Sequence, residues 1–360
     1  MLESWTSVVS KKILERSYSD FSLKQNISIF QKPKFKLKKE RIALIGCNDG
    51  LLDAVRPILY AFAGNFGKNN IADLGNLKNL DADHNPQLMQ DLVDAGITPL
   101  IVSATASQLH SHLVSSIKNK KKIHCSLIDE TVPTKAQGPI DQRLLFPIAT
   151  NKIQWPDQFK ILGIQKHQVA AKQIQEAEKN NLRLFRLGGL KTDLTMAEPL
   201  LRDTNVLGFN GRVLKSSETQ DKENHSPSGL SIDQACQLMR YAGINEQMQF
   251  VNIYGFDDRF APNPTTAHAV AQLIWYFLDG FFDQKGDYPV DKRKLKSYVV
   301  DLKYDNLNIS FWKSKKSGRW WVEVPRAKGK SVLMPCSQKE YESCAAGILS
   351  DNLVELLELF

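Results

Sequence analysis

Short runs of unbroken apolar residues, each closed by Gly, Asn or Pro, recur along the chain between amphipathic stretches. RIALIGC (41–47), NNIADLG (69–75), TPLIVSA (98–104), KIHCSLID (122–129), FKILGIQ (159–165), TNVLGFN (204–210) and QFVNIYG (249–255) read as buried strands. LLDAVRPILYAFA (51–63), PQLMQDLVDAG (86–96) and HQVAAKQIQEAEKNN (167–181) read as helices between them. All-apolar strands alternating with amphipathic helices predict an α/β domain whose sheet is parallel and covered on both faces. Ser231 followed by Gln234 predicts a capping-box start for SIDQACQLMRYAG, with Gly243 as its stop. Ser337 followed by Glu340 predicts a second capping box near the end of the chain.

From Leu295 the period changes to two. LKSYVVDLKY, NLNISFWK and GRWWVEVP alternate apolar and polar positions, with turn residues at Asp305-Asn306 and Ser317-Gly318, and predict a small C-terminal β-meander. Neighbours in a strand point to opposite faces, so Trp320 and Trp321 cannot share one. One face is expected to pack on the main domain, and the other is either covered within the chain or offered as a contact surface. The chain thus divides into a polar, basic leader (1–40), an α/β domain (41–290), and the meander with a terminal helix (291–360).

The 360 residues leave ample room for a core, and 42% hydrophobic with 24% charged residues is the balance of a soluble globular protein. No apolar run approaches the roughly 18 residues of a membrane span, and the N-terminus lacks the uncharged stretch of a secretory signal. Five cysteines without CxxC spacing fit reduced thiols and a cytoplasmic location. The net charge of +8 is spread over runs at Lys32–Arg41, Lys118–Lys122 and Lys313–Lys316. With no nucleic-acid motif beside them, these are expected to be solvated loops and helix ends rather than a nucleic-acid surface.

The candidate chemistry lies at the ends of three predicted strands. There the strand-then-turn form that delivers metal ligands is kept, while the ligand-grade side chains are replaced by Thr105, Ala106, Thr131, Pro133, Asn210 and Arg212. Asp129 is the one hard oxygen ligand left. DADH (81–84) imitates a metal motif but falls in a loop after the IADLGN strand. His110 and His112 are two apart and would diverge on a helix, whereas His124 and His268 read as strand and helix residues.

IADLGN (71–76), SPSGLSIDQACQLMRYAG (226–243), TAHAVAQLIWYFLDGFF (266–282) and SGRWWVEVP with LMPCSQKEYESC resemble the arginase, agmatinase and formimidoylglutamase (ureohydrolase) family, and most of all its formimidoylglutamase-like bacterial branch. The likeness runs from about residue 25 to 345. It implies a three-layer α/β/α arginase-like fold with a mostly parallel eight-stranded sheet. It also implies a pair of Mn²⁺ ions at the carboxyl ends of the strands, activating a water for attack on a guanidinium or formimino carbon.

Each ligand motif that the resemblance implies is altered. The Gly-Gly-Asp-His turn is replaced by Ser103, Ala104, Thr105 and Ala106, or by Ser107 and Gln108 if the register slips by two. The Asp-Ala-His-x-Asp motif keeps Asp129 but continues Glu130, Thr131, Val132, Pro133. The Phe-Asp-x-Asp motif becomes Phe209, Asn210, Gly211, Arg212, and the substrate-gripping glutamate position is Gly255. The former metal positions are therefore Ala106, Asp129 (a vestigial ligand), Thr131, Pro133, Asn210 and Arg212. Arg212 is expected to pair with Asp129 as a fixed cation in place of the ions.

The expectation is a ureohydrolase-fold protein without a catalytic residue or cofactor. It would have lost the binuclear site and hydrolase activity, and would work as a binding or scaffold component with an unknown protein partner or through self-association. The alternative is a Mn²⁺-dependent hydrolase of C–N bonds in linear amidines. Its site would be rearranged around Asp129 and Glu130, with ligands recruited from Asp257, Asp258 or His84.

Overall fold

The apolar runs become strands, and the order in which they pair decides where the loops converge. The computed structural model describes residues 5–31, 37, 39–64, 66–68, 70–79, 84–105, 123–133, 158–180, 182–219, 226–256, 263–288, 292–302, 307–325 and 331–358. The main sheet holds β1 (Thr6–Ser7), β2 (Ile27–Ile29), β3 (Ile42–Cys47), β4 (Ile71–Leu77), β5 (Thr98–Val102), β6 (His124–Ile128), β7 (Gln158–Ile164), β8 (Leu182–Arg186), β9 (Val206–Asn210) and β10 (Phe250–Tyr254). Its central order is β4-β3-β5-β10-β9-β6-β7-β8, all parallel. Chain order reverses within it. Strand β9 leads on to β10 on one side while β6 leads to β7 on the other, so the chain leaves their carboxyl ends in opposite directions, the place where such sheets usually bind ligands.

The sheet is buried on both faces, as the runs predicted. Helices Leu51–Ala61, Ile232–Gly243 and Pro264–Phe282 cover one face with Leu52, Leu59, Leu238, Met239, Leu273 and Phe277. Helices Asn85–Asp94 and Ala171–Lys179 contribute Leu88, Met89, Leu92 and Ala177 to the other. The two capping boxes form, with the Ser231 N–H donating to Gln234 Oε1 at 3.1 Å and the Glu340 N–H to Ser337 Oγ at 3.1 Å. Gly243 is the last residue of its helix, as expected, and it also makes room for a neighbouring helix. A β-carbon there would lie 2.2 Å from the Phe277 carbonyl, and one at Gly280 would lie 2.3 Å from that of Arg240. The two glycines let the helix backbones touch.

The leader is part of the sheet. β2 pairs with Ile71–Asp73 and β1, antiparallel, with Asn76–Leu77, so both lie on the outer edge of β4. On that strand Asp73 binds Arg56 of helix Leu51–Ala61, and both side chains are fully buried. Arg56 donates Nε to Asp73 Oδ2 (2.8 Å), Nη2 to Asp73 Oδ1 (2.9 Å) and to the Gly75 carbonyl (2.9 Å), and Nη1 to Asn76 Oδ1 (2.7 Å) and to Asp53. Tyr60 Oη adds a bond to Asp73 Oδ2 at 2.7 Å. Burial works against the Arg56 charge, and the Asp73 carboxylate more than offsets it, holding the guanidinium above its already high range.

The meander is β11 (Leu295–Leu302), β12 (Leu307–Ser314), β13 (Trp320–Pro325) and β14 (Ser331–Cys336), antiparallel and in chain order. Both of its faces are occupied at the tryptophans. Trp320 stacks on Tyr341 of helix Gln338–Ala345, ring centroids 4.4 Å apart. Trp321 lies under the guanidinium of Arg202, 4.8 Å from the ring centroid, and Arg202 also donates to the Trp320 carbonyl and to Glu198. All five cysteines are buried and none is in a disulfide. Among the described residues, no helix is long and apolar enough to cross a membrane.

Candidate functional site at the carboxyl ends of the strands

Asp129 follows β6 and is fully buried. Its Oδ1 accepts the Thr131 N–H at 3.1 Å, and its Oδ2 accepts the Asn210 side-chain N–H at 3.0 Å. The orientation of the Asn210 amide is fixed by its own turn. Oδ1 accepts the Arg212 N–H at 3.1 Å as the chain enters the 3₁₀ turn Gly211–Val213, so Nδ2 has to face Asp129. Asn210 is thus a donor to Asp129, at the place where an Arg212 pairing was expected. Arg212, half-buried, donates its backbone N–H to Asn210 Oδ1.

Gly255, just past β10, sits beside this pair. Its φ is +82°, and a β-carbon there would lie 2.0 Å from Asn210 Oδ1. Its N–H and that of Phe256 both donate to the Ala104 carbonyl, at 3.1 and 2.9 Å. The adjacent Gly211 has no more room, because a β-carbon there would lie 2.6 Å from the Phe256 ring. Ala104, after β5, donates its N–H to Asp49 Oδ2 at 2.7 Å, and Asp49 Oδ1 accepts the Leu51 N–H at 3.1 Å. Desolvation holds the Asp49 carboxyl above the ordinary aspartate range, against the effect of those two N–H bonds.

The residues named from the sequence therefore converge only in part. Asp129, Thr131, Asn210, Arg212 and Gly255 meet at the ends of β6, β9 and β10, and Ala106, Asp257 and Asp258 lie outside the described residues. Pro133 is buried after β6. Glu130 turns away from Asp129 chemistry to accept the Gln165 side chain at 3.1 Å. His84 stacks on Trp5 at the head of helix Asn85–Asp94, on the β4 side of the sheet. Five strand spacings, about 24 Å, separate β4 from β6, too far for a shared ion. His124 opens β6 at the opposite end and binds Asp203 at 3.0 Å, which also holds the buried Lys160 at 2.6 Å. Asp49 and Asn210's amide geometry were the parts missed. The Asp-Gly before a helix is the signal that could have marked Asp49 as a cap.

A pair of divalent ions needs several carboxylates and imidazoles with free lone pairs. The donors among the described residues do not fit them. The Asn210 N–H directed at Asp129 is a donor where a ligand would have to accept, and Asn210 fills the space beside Gly255. Among the described residues, no group of three or more His, Cys, Asp or Glu converges to hold a metal ion.

No family model matches the chain, and no curated protein matches it in sequence. Solved structures do match. Formimidoylglutamase from Bacillus subtilis superposes with a TM-score of 0.61 at 16% identity, covering 75% of this chain and 95% of that one. Trypanosoma cruzi formiminoglutamase with Mn²⁺ gives 0.60 at 12% identity, over 69% of this chain and 96% of that one. Agmatine ureohydrolase of Thermoplasma volcanium gives 0.53 at 13% identity, over 73% and 95%. At these identities the likeness shows the fold.

Proposed function

We propose that this chain, whose fold is that of the arginase/ureohydrolase superfamily, uses that fold without the superfamily's binuclear metal chemistry and works as a binding or scaffold component. The observation that carries the reading is the Asn210 carboxamide, which donates to Asp129 at 3.0 Å and occupies the space a side chain at 255 would need. An amide in this orientation gives the buried Asp129 carboxylate a hydrogen-bond donor and ties the ends of β6 and β9 together, where converging carboxylates would have required metal. The expected lack of catalytic and metal-ligating residues, and the expected soluble location, are parts of the same proposal.

The test is metal content after incubation with excess Mn²⁺ and desalting. The expected result is far less than one ion per chain and no Mn²⁺-dependent rise in melting temperature, since binding to the native state alone would raise it. One or two ions per chain would overturn the reading. That outcome would turn attention to linear amidine hydrolysis around Asp129 and Glu130.

A further inference from the structure

Gly163 interrupts β7 just before its end. Its φ is +107°, and the register with β8 shifts between Leu162 and Ile164, as at a bulge. The bulge redirects one side chain. Strict alternation would put Ile164 on the same face as Leu162, yet Ile164 packs with Ile161 and Phe159 on the face of helix Ala171–Lys179. There it meets Val169, Ile174, Leu182 and Leu184 around a cavity of about 440 Å³ that runs along β8, the outermost strand of the sheet. Ile174 and Leu184 are only half-buried, so apolar surface is left uncovered inside it. The helix beside the cavity brings Ala177 alone fully into the core, a side chain too small to fill the space.

The charged groups that line this cavity are divided between its ends. Ile164 is paired with Arg186, so Lys166 and Arg186 stand together at the carboxyl end of β7 and β8. Both are exposed, and among the described residues neither has a carboxylate partner. At the amino end Arg183 is held by Glu355 at 2.7 Å and by Asn352, so the terminal helix Asp351–Glu358 crosses the cavity there. Helix Ala171–Lys179 runs back toward that same end, and its last turn adds the exposed carboxylate of Glu178.

We propose that this cavity binds a single-chain amphiphile, its anionic head held by Lys166 and Arg186 and its apolar tail laid along β8 toward Arg183. The separation of charge sets the orientation, with two free cations at one end and a free carboxylate at the other. The crossing helix decides the class. A polypeptide running through would need both ends open, whereas a tail that stops inside needs only one. From Leu182 to Arg186 the strand rises about 13 Å, the reach of a medium-length acyl chain. Glu178 repels a chain that carries a second anion at its far end. The site lies two strands beyond β6, and it stands on these observations whether or not the metal measurement bears out the binding-component reading.

The test is isothermal titration calorimetry of the full chain with decanoate, decyl phosphate, decanol and decanedioate, each below the concentration at which it aggregates. Decanoate or decyl phosphate is expected to saturate at one per chain, and the tighter of the two names the head. Decanol, without the charge, and decanedioate, with a second one, are expected to bind about tenfold more weakly or worse. Lys166→Gln combined with Arg186→Gln is expected to lose about tenfold in affinity for the anions and to leave decanol binding unchanged. Its melting temperature should hold, because neither side chain has a carboxylate partner to lose. Ile174→Trp, which fills the space for the tail, is expected to remove binding of all four. Equal binding of the anions by native chain and double variant, or of decanol and decanoate by the native chain, would overturn the anionic head. Decanedioate binding as tightly as decanoate would overturn the orientation, and no saturable binding of either anion would overturn the site.

Discussion

Asp73→Ala is expected to destabilise the protein by about 3–5 kcal/mol, read as a lower urea midpoint at unchanged slope. The size follows from what is left behind. Arg56 and Asp73 are both fully buried, and the guanidinium would lose its bidentate partner while remaining enclosed by Gly75, Asn76 and Tyr60. With the partly exposed Asp53 carboxylate as its remaining acid among the described residues, the buried guanidinium would be poorly compensated, which costs more than the pair contributes relative to apolar residues of the same shape. Arg56→Met combined with Asp73→Leu should therefore cost clearly less than the two single changes added together. A loss below about 1 kcal/mol for Asp73→Ala would show that water or a neighbour replaces the carboxylate, and would remove the network from the account of how β4 is held.

The second large effect is expected at Gly255. Gly255→Ala should cost roughly 3 kcal/mol, combining about 1–2 kcal/mol for a β-carbon in the left-handed region with a similar cost for overpacking. The obstacle has a name, since that β-carbon would lie 2.0 Å from Asn210 Oδ1. Asn210→Ala should cost stability alone, because Asp129 loses its amide donor, yet it should relieve part of the Gly255→Ala loss. Strictly additive losses would mean that the two residues do not compete for space. The reading that Asn210 fills the space beside Gly255 would then fail together with the steric argument for it.

These two sites differ in how far the sequence discloses them. The identities at 129, 210, 212 and 255 were legible because each ends an apolar run that stands out as a strand. Neither the orientation of the Asn210 amide nor the lack of room at Gly255 could be read there, since both depend on strands β9 and β10 lying side by side although some forty residues separate them in the chain. The Arg56–Asp73 network was hidden for another reason. IADLGN reads as a strand whether or not Asp73 is paired, and the one sign was an arginine on the apolar stripe of helix Leu51–Ala61. Strand β8, LRLFR, escaped notice because it is half-buried and carries arginines where the central strands carry Ile and Leu. The basic run at 313–316 was visible, but its meeting with 292–296 is set by the hairpin register. Gly243 does end its helix, but its close approach to the Phe277 carbonyl could not be read, because a stop and a close approach leave the same letter in the sequence.

The seating of the first thirty residues bears on how the chain can be handled. A parallel sheet ends in a strand whose outer amides and carbonyls are ready to recruit another chain, and here β2 and β1 occupy that margin of β4 in succession. Gly75 lies between the two pairings with φ +78°, and a β-carbon on it would come within 1.8 Å of the Ser7 carbonyl, so the covering segment is pressed directly onto the strand. A chain trimmed at its amino end to the first long apolar run would lose Val9, Ile13, Leu23, Ile27 and Phe30 from the core, keep the rest of it, and bare a row of unpaired backbone groups on IADLGNL. Such a product would be prone to stick to its own copies rather than to unfold. Solubility would then be lost before helix content, and a sedimentation profile would register the damage that circular dichroism overlooks.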